Sequence, residues 1–413
     1  MNILSLTSAF LKNRPLVTVL NILLFALAIA VLVVLAKLDN HVQHRLEKDA
    51  AGIDMVVGAK GSPLQLVLST VYHIDVPPGN IPLGAVSKLA HHKYVKEAVP
   101  ISLGDSYYGC HIVGTRPQLI NLYGAKFASG GIWQRPMEAV LGAEVAARSG
   151  LKVGDTFAGS HGLVSNGAPA HVHSGHPYKV VGILAKRGNI ADRLVFTSLN
   201  SVWEIHGQEE AEEAAHPGQE EAEEPGGYDE PSNLEVTAVL IHFTTPIAAV
   251  AMPREINTST AWQAALPAME IARLVKLVGF GMNALRAFGI LLLGISTLSL
   301  FVMLVSAMQR RKYDLAVMRS LGASRLRVSG QIICESLAIT CAGLVAGFAL
   351  GYGLTALLPD IFGAAYLSGM NIWEVVPLEY GLAGIALAVA LVATIIPAWQ
   401  AYRTDVHRLL MGS

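Results

Sequence analysis

The sequence predicts an α-helical membrane protein with four transmembrane helices, plus a large extracytoplasmic α+β domain inserted between helices 1 and 2. Three observations carry the prediction. Hydrophobic residues make up 52% of the 413 residues and charged ones 15%, a membrane protein's balance. Four runs of roughly 20 residues are nearly free of charge, the length that crosses a hydrocarbon core of ~30 Å as a helix. They are Leu16–Leu35, Ala287–Met308, Ile332–Leu358 and Leu378–Ile396. Between the first two, short strand-like and helix-like runs alternate, punctuated by Gly and Pro.

Residues 1–38 form a short N-terminal segment and the first span. This run is too long for a signal-peptide core and no small-residue cleavage site follows it, so it reads as a retained anchor. Residues 39–283 form the inserted domain. "EAVPISL", "YGCHIVGT", "KVVGIL", "RLVFTSL" and "VTAVLIHF" read as strands, "GAVSKLAHH" and "AEVAARSG" as helices, the latter with Gly150 as C-cap. Two polar tracts interrupt the pattern. "GSHGLVSNGAPAHVHSGHPY" carries His161, His171, His173 and His176. The acidic, low-complexity stretch at about 204–231 carries His206 and His216 and buries too little apolar surface to fold, so it is expected to be disordered. From Pro267 the apolar residues Ile271, Leu274, Val275, Val278, Met282 and Leu285 recur at helical spacing. Unbroken to Met308, that helix would be a stalk of ~60 Å, although Gly279 and Gly281 offer places to kink. Residues 284–413 hold the last three spans and, at about 310–327, a basic stretch between the second and third.

Orientation follows from the basic residues near the membrane. Lys12, Arg14, the 310–327 cluster, Arg403 and Arg408 fall on one side, and the loop from Pro359 to Pro377 has neither Lys nor Arg. Both termini are therefore expected to be cytoplasmic and the large domain to lie on the other side. The formal net charge of -1 and the lack of a basic, aromatic-interleaved patch argue against a nucleic-acid partner. Cys110 stands alone in the outer domain, while Cys334 and Cys341 fall in the third span, so no disulfide within the outer domain is expected. No H-E-x-x-H, G-x-S-x-G or paired intramembrane aspartate occurs, so no catalytic residue is assigned.

In "RRKYDLAVMRSLGASRLRV", Tyr313, Val317 and Leu321 share one helical face with Ala316, while Lys312 and Arg319 point away. Gly322 can close that helix, and Ser324 can N-cap the next. A basic loop touching anionic lipid would need neither the apolar stripe nor the tight turn. Gly343, Gly347 and Gly351 stand four apart on one face of the third span, a close-packing device within a protomer or between protomers. Glu335, near the start of that span, either snorkels or pairs with Arg325 or Arg327.

This stretch, together with "EAVLGAEVAARSGLKVGDTF", "YKVVGILAKRGNIADRLVFTSL" and "IIPAWQAYRTDVHRLL", resembles the FtsX-like permeases of ABC transporters, the family of MacB, LolC and LolE. The resemblance implies a MacB-like periplasmic domain and a multi-pass permease of the bacterial inner membrane, working as a homodimer or a pair of permeases. It implies a mechanotransmission mechanism. Residues Arg310, Arg311, Tyr313, Asp314, Val317, Met318, Leu321 and Gly322 would form the coupling helix seated on a cytoplasmic ABC ATPase, with Glu335 a candidate in the same network. The 413 residues contain no G-x-x-x-x-G-K-[ST] phosphate loop, so ATP and Mg²⁺ are expected to enter through that partner.

Three function classes follow. One is transport of a lipoprotein, peptide or lipophilic substrate, with a periplasmic accessory or substrate protein. The second is transmembrane signalling to a cell-wall hydrolase. A third is a zinc-linked complex, in which His161, His171, His173, His176, His206 and His216 supply imidazoles, although their spacing matches no closed structural zinc site. The same histidines could instead sense pH.

Overall fold

The computed structural model describes residues 3–161, 177–205, 234–310, 320, 324–362 and 371–403. The chain forms two compact units, Met1–Gln43 with Leu277–Ser413, and His44–Lys276. This division falls a few residues inside the 39–283 expected for the inserted domain.

In the first unit a short helix, Ile3–Lys12, precedes the spanning helices. These are Pro15–Asp49, Pro267–Arg310, Arg325–Phe362 and Pro377–Arg403, each long and apolar enough to cross a membrane. All four outrun the apolar runs of the sequence, because backbone hydrogen bonding continues through polar flanks that hydropathy excludes. Pro15, Pro267 and Pro377 open their helices, where a missing N–H costs nothing. Gly279 and Gly281 do not interrupt the helix: Pro267–Arg310 is one run of 44 residues. The first span is the most deeply buried of the four. Its Phe25, Ile29 and Val33 form the centre of a core shared with Leu300 and Leu304 of the second span, Ile339 of the third and Ala386 and Ala390 of the fourth.

The second unit is built on one mixed sheet. Its strands are β1 (Met55–Ala59), β3 (Val95–Tyr107), β4 (Cys110–Thr115), β5 (Phe127–Gly130), β6 (Glu138–Leu141), β9 (Tyr178–Leu184), β10 (Val195–Ser198), β12 (Ala238–Phe243) and β13 (Trp262–Ala265). They run in the order β13-β1-β12-β3-β4-β10-β6-β9-β5, with the two-residue strands β7 (Thr156–Phe157) and β8 (Ser160–His161) added on β9 and β3. A separate pair joins β2 (Ile81–Pro82) and β11 (Glu235–Val236). Only β10 with β4 and β6 with β9 are parallel pairs among the described strands.

Both faces of the sheet are covered, and the side-chain period of two explains the strand sequences. Val56, Val113, Val140, Phe196 and Leu240 enter one core with Leu66, Tyr72, Leu119 and Trp133. Their chain neighbours Met55, Val57, Val239 and Ile241 enter another with Val86 and Met252, while Ile112, Leu141 and Val195 enter a third with Phe157 and Tyr178. Continuous apolar runs are thus what a doubly buried strand requires. Every strand and helix that the sequence leads one to expect within the inserted domain is present among the described residues. The helix Ala143–Ser149 ends on Gly150 at φ 73°, the left-handed cap expected there. The acidic tract begins later than 204, since residues 199–205 are helical; residues 206–233 lie outside the described set.

Candidate functional site

The glycine stripe of the third span is an intramolecular contact. A methyl group built on Gly343 would lie 2.6 Å from Phe25 Cβ, on Gly347 2.7 Å from Ile29 Cβ, and on Gly351 3.0 Å from Val33 Cβ. Three bare notches therefore receive three successive turns of the first span, at a backbone approach that any side chain would forbid. The register rises on both helices together, so the first and third spans run parallel.

The other contacts set the remaining directions. Asn21 Nδ2 lies 3.5 Å from Met303 Sδ and Asp39 pairs with Arg286 at 2.7 Å, making the first and second spans antiparallel. Ser329 donates to the Ala398 carbonyl at 3.0 Å and Tyr352 to Glu379 at 2.7 Å, so the third and fourth are antiparallel as well. One end of the bundle consequently gathers Arg14, Arg310, Arg325, Arg327 and Arg403. There Arg325 lies 5.7 Å from the Tyr402 ring centroid and Arg403 4.0 Å from that of Trp399. This is the basic end that the charge pattern requires.

Arg310 closes the second span and is exposed. Ser324 accepts from the Arg327 amide at 3.3 Å and caps the third, as its position predicts. Between them, the expected coupling residues Arg311, Tyr313, Asp314, Val317, Met318, Leu321 and Gly322 lie outside the described residues. Glu335 does not snorkel: it is buried at 2%, two turns or more above the exposed Arg325 and Arg327.

At the opposite end lies a cluster the sequence reading missed. Lys37 of the first span and Glu379 of the fourth are 4% and 2% exposed and form an ion pair at 3.1 Å. Lys37 Nζ also donates to the carbonyls of Ile372 (3.0 Å) and Glu374 (2.7 Å) in the loop joining the third and fourth spans. Its ammonium lies 4.0 Å from the centroid of the Tyr352 ring. Tyr352 Oη donates to Glu379 Oε2 at 2.7 Å. The signal was one lone cation just past the first apolar run and one lone carboxylate opening the fourth, at the same end once the spans alternate.

Of the candidate metal ligands, only the backbone of His161 is placed: in β8 it stands opposite Asp105 of β3. The side chain of His161 and all of His171, His173, His176, His206 and His216 lie outside the described residues. Among the described residues no group of three or more His, Cys, Asp and Glu is arranged to hold a metal.

A MacB-like periplasmic core domain model matches residues 18–240, more than half the chain, and an FtsX-like permease C-terminal model matches 286–406. The chain belongs to the MacB-like, FtsX-like family of ABC permeases. Its order of parts, a first span, the inserted domain and three further spans, is the order of those two matches. A curated relative, the macrolide export ATP-binding/permease protein MacB of Hyphomonas neptunium, is 34% identical over 129 residues. That alignment covers 29% of this permease and only 19% of the relative. Among solved structures, the periplasmic region of MacB from Actinobacillus actinomycetemcomitans matches at TM-score 0.33 and 11% identity, covering 55% of this permease and 95% of that chain. The extracellular domain of the noncanonic ABC-type transporter YknZ from Gram-positive bacteria matches at TM-score 0.31 and 11% identity, covering 51% and 98%.

In the outer unit of the permease, the last turn of the Pro15–Asp49 helix is tied in by charge. Asp49, 1% exposed, sits 3.3 Å from Arg193 Nη2 and 3.6 Å from Arg45 Nε. Tyr72 Oη donates to the Leu46 carbonyl at 3.1 Å on the same turn. Nearby, the rings of His73 and His111 lie 5.6 Å apart. Burial, with lesser contributions from His111 and Arg193, holds His73 well below the usual imidazole value, and burial lowers His111.

Proposed function

We propose that this permease subunit couples ATP hydrolysis by a separate ABC ATPase, seated on segment 310–327, to mechanical work by the outer domain. In this reading both termini are cytoplasmic in a bacterial inner membrane and the outer domain is periplasmic. Two permease subunits act together, and the substrate is a lipoprotein, peptide or other lipophilic molecule. ATP-driven approach of two ATPases shifts the coupling segment, and the spans pass that shift outward.

The observation that supports this most is the helix Pro267–Arg310. Its 44 residues span about 66 Å, twice the hydrocarbon thickness, without a break. At one end Ile271, in the second turn of the helix, packs on the core of the sheet; at the other, Arg310 leads into the coupling segment. A displacement at Arg310 therefore has an unbroken hydrogen-bonded path to the sheet. The parallel first and third spans, locked by bare glycine notches, favour movement of those two helices together. Periplasmic chemistry is left to the outer domain, since the described span interior is packed rather than channel-lined.

The test is replacement of Met318 and Leu321 together by Glu, followed by affinity purification of the permease from its host membrane. The ATPase should be lost while the outer domain keeps wild-type protease resistance. Unchanged co-purification of the ATPase would remove the coupling role from this segment.

A further inference from the structure

The Lys37 site has the composition of a cation site whose cation is tethered. An ammonium carries three N–H donors and no acceptor, and three oxygens surround this one: the carbonyls of Ile372 and Glu374 and the carboxylate of Glu379. The face of Tyr352 closes a further side at 4.0 Å, and its hydroxyl holds the second oxygen of Glu379 at 2.7 Å. Stripping an ammonium of water is costly, and here two carbonyls accept hydrogen bonds from it while a carboxylate 3.1 Å away balances its charge. None of these contacts is needed to make the spans apolar or to set their direction.

Two of the oxygens belong to the described part of the loop between the third and fourth spans, residues 371–376, which also touches the third span through the Trp373 ring, 6.3 Å from that of Tyr352. Trp373 is 82% exposed, and within the loop the Trp373 amide donates to Asn371 Oδ1 and the Glu374 amide to the Asn371 carbonyl. Among the described residues, the loop's hydrogen bonds to the first span thus run through one nitrogen, and through Glu379 and Tyr352 the same nitrogen joins the fourth and third spans.

We propose that Lys37, Glu379 and Tyr352 form a latch: a binding site for a primary ammonium, filled by Lys37, that holds the outer loop and the outer ends of the first, third and fourth spans together in the resting permease. Withdrawal of the ammonium into water frees the loop, and this end of the bundle opens only then. The latch itself does not depend on where the ATPase binds; only its place in the working cycle rests on the coupling reading above.

Hydrogen exchange on the full-length permease in lipid nanodiscs tests it. In Lys37→Met, which keeps length and apolar stem but removes the charge, the Trp373 and Glu374 amides should exchange at least tenfold faster, while amides at the basic end of the spans keep their rates. Unchanged exchange at 373 and 374 would show that packing, not the ammonium, holds the loop, and the latch would be overturned. If Lys37→Met loosens the whole bundle, Lys37→Ala decides: n-propylammonium should restore protection and tetramethylammonium, which has no N–H, should not. Rescue by neither, or equally by both, would overturn the site. Failure of the Met318/Leu321 test would leave these results untouched.

Discussion

Adding one methyl group at Gly347 should loosen the packing of the first and third spans. A Cβ there would meet Ile29 Cβ at 2.7 Å and the Ala26 carbonyl oxygen at 2.9 Å, whereas carbon atoms rest at ~3.5–4.0 Å. The helices must separate by about 1 Å. One of the obstructing atoms is backbone, so no rotamer change relieves the clash. Separation at 347 also unseats Phe25 and Val33 from the notches at Gly343 and Gly351, one turn to either side. Overpacking of this kind costs about 1–3 kcal/mol. In thermal unfolding of the permease in nanodiscs each kcal/mol is worth about 2–4 °C for a unit of this size. Gly353, on the same helix, has nothing within 4 Å of its built Cβ and supplies the control. Gly353→Ala should be neutral or stabilising, because Ala is the better helix former. The order of midpoints expected is Gly353→Ala at or above wild type, Gly351→Ala slightly below, and Gly343→Ala and Gly347→Ala lowest. Equal midpoints for Gly347→Ala and Gly353→Ala would refute the steric argument.

Two further outcomes concern the outer unit. Asp49→Ala removes the carboxylate that lies 3.3 Å from the Arg193 guanidinium, 7% exposed, and 3.6 Å from that of Arg45, 9% exposed. The loss should be about 3–5 kcal/mol, read as a lower urea midpoint by tryptophan fluorescence, and partly recovered in Asp49→Ala/Arg193→Met. His73 and His111 are held neutral in the folded unit, while the unfolded chain takes up protons near pH 6.5. Their contribution is complete above that value and is lost as pH falls through 6.5 toward the lowered folded values. Exchange of β3 and β4 amides should therefore accelerate between pH 7 and pH 5.5 beyond its intrinsic pH dependence. An unchanged pH slope in His73→Asn/His111→Gln would refute the assignment.

The spans were legible because hydrocarbon imposes a one-dimensional rule: a lipid-crossing run must be predominantly apolar and nearly free of charge, so Leu16–Leu35 declares itself without reference to any other part of the chain. Local rules likewise placed Gly150 as a left-handed cap, Ser324 as an N-cap and β12 as a strand. The family resemblance, carried by local motifs in a set order, followed from the same kind of signal. The strand β1 alternates between the same two cores as β12 but escaped notice because it is only five residues long and ends in Gly58 and Ala59, poor strand formers.

What the third dimension decided is which distant residues meet. Spacing put Gly343, Gly347 and Gly351 on one face, but only the packed helices identified Phe25, Ile29 and Val33 of the same chain as their partners. Glu335 looked able to reach water, and in the folded chain it is only 2% exposed. Lys37 and Glu379, 342 positions apart, each resembled an ordinary flank of an apolar run. An ammonium's worth depends on the three oxygens around it, and two of those are backbone carbonyls, which every residue carries and no sequence pattern distinguishes.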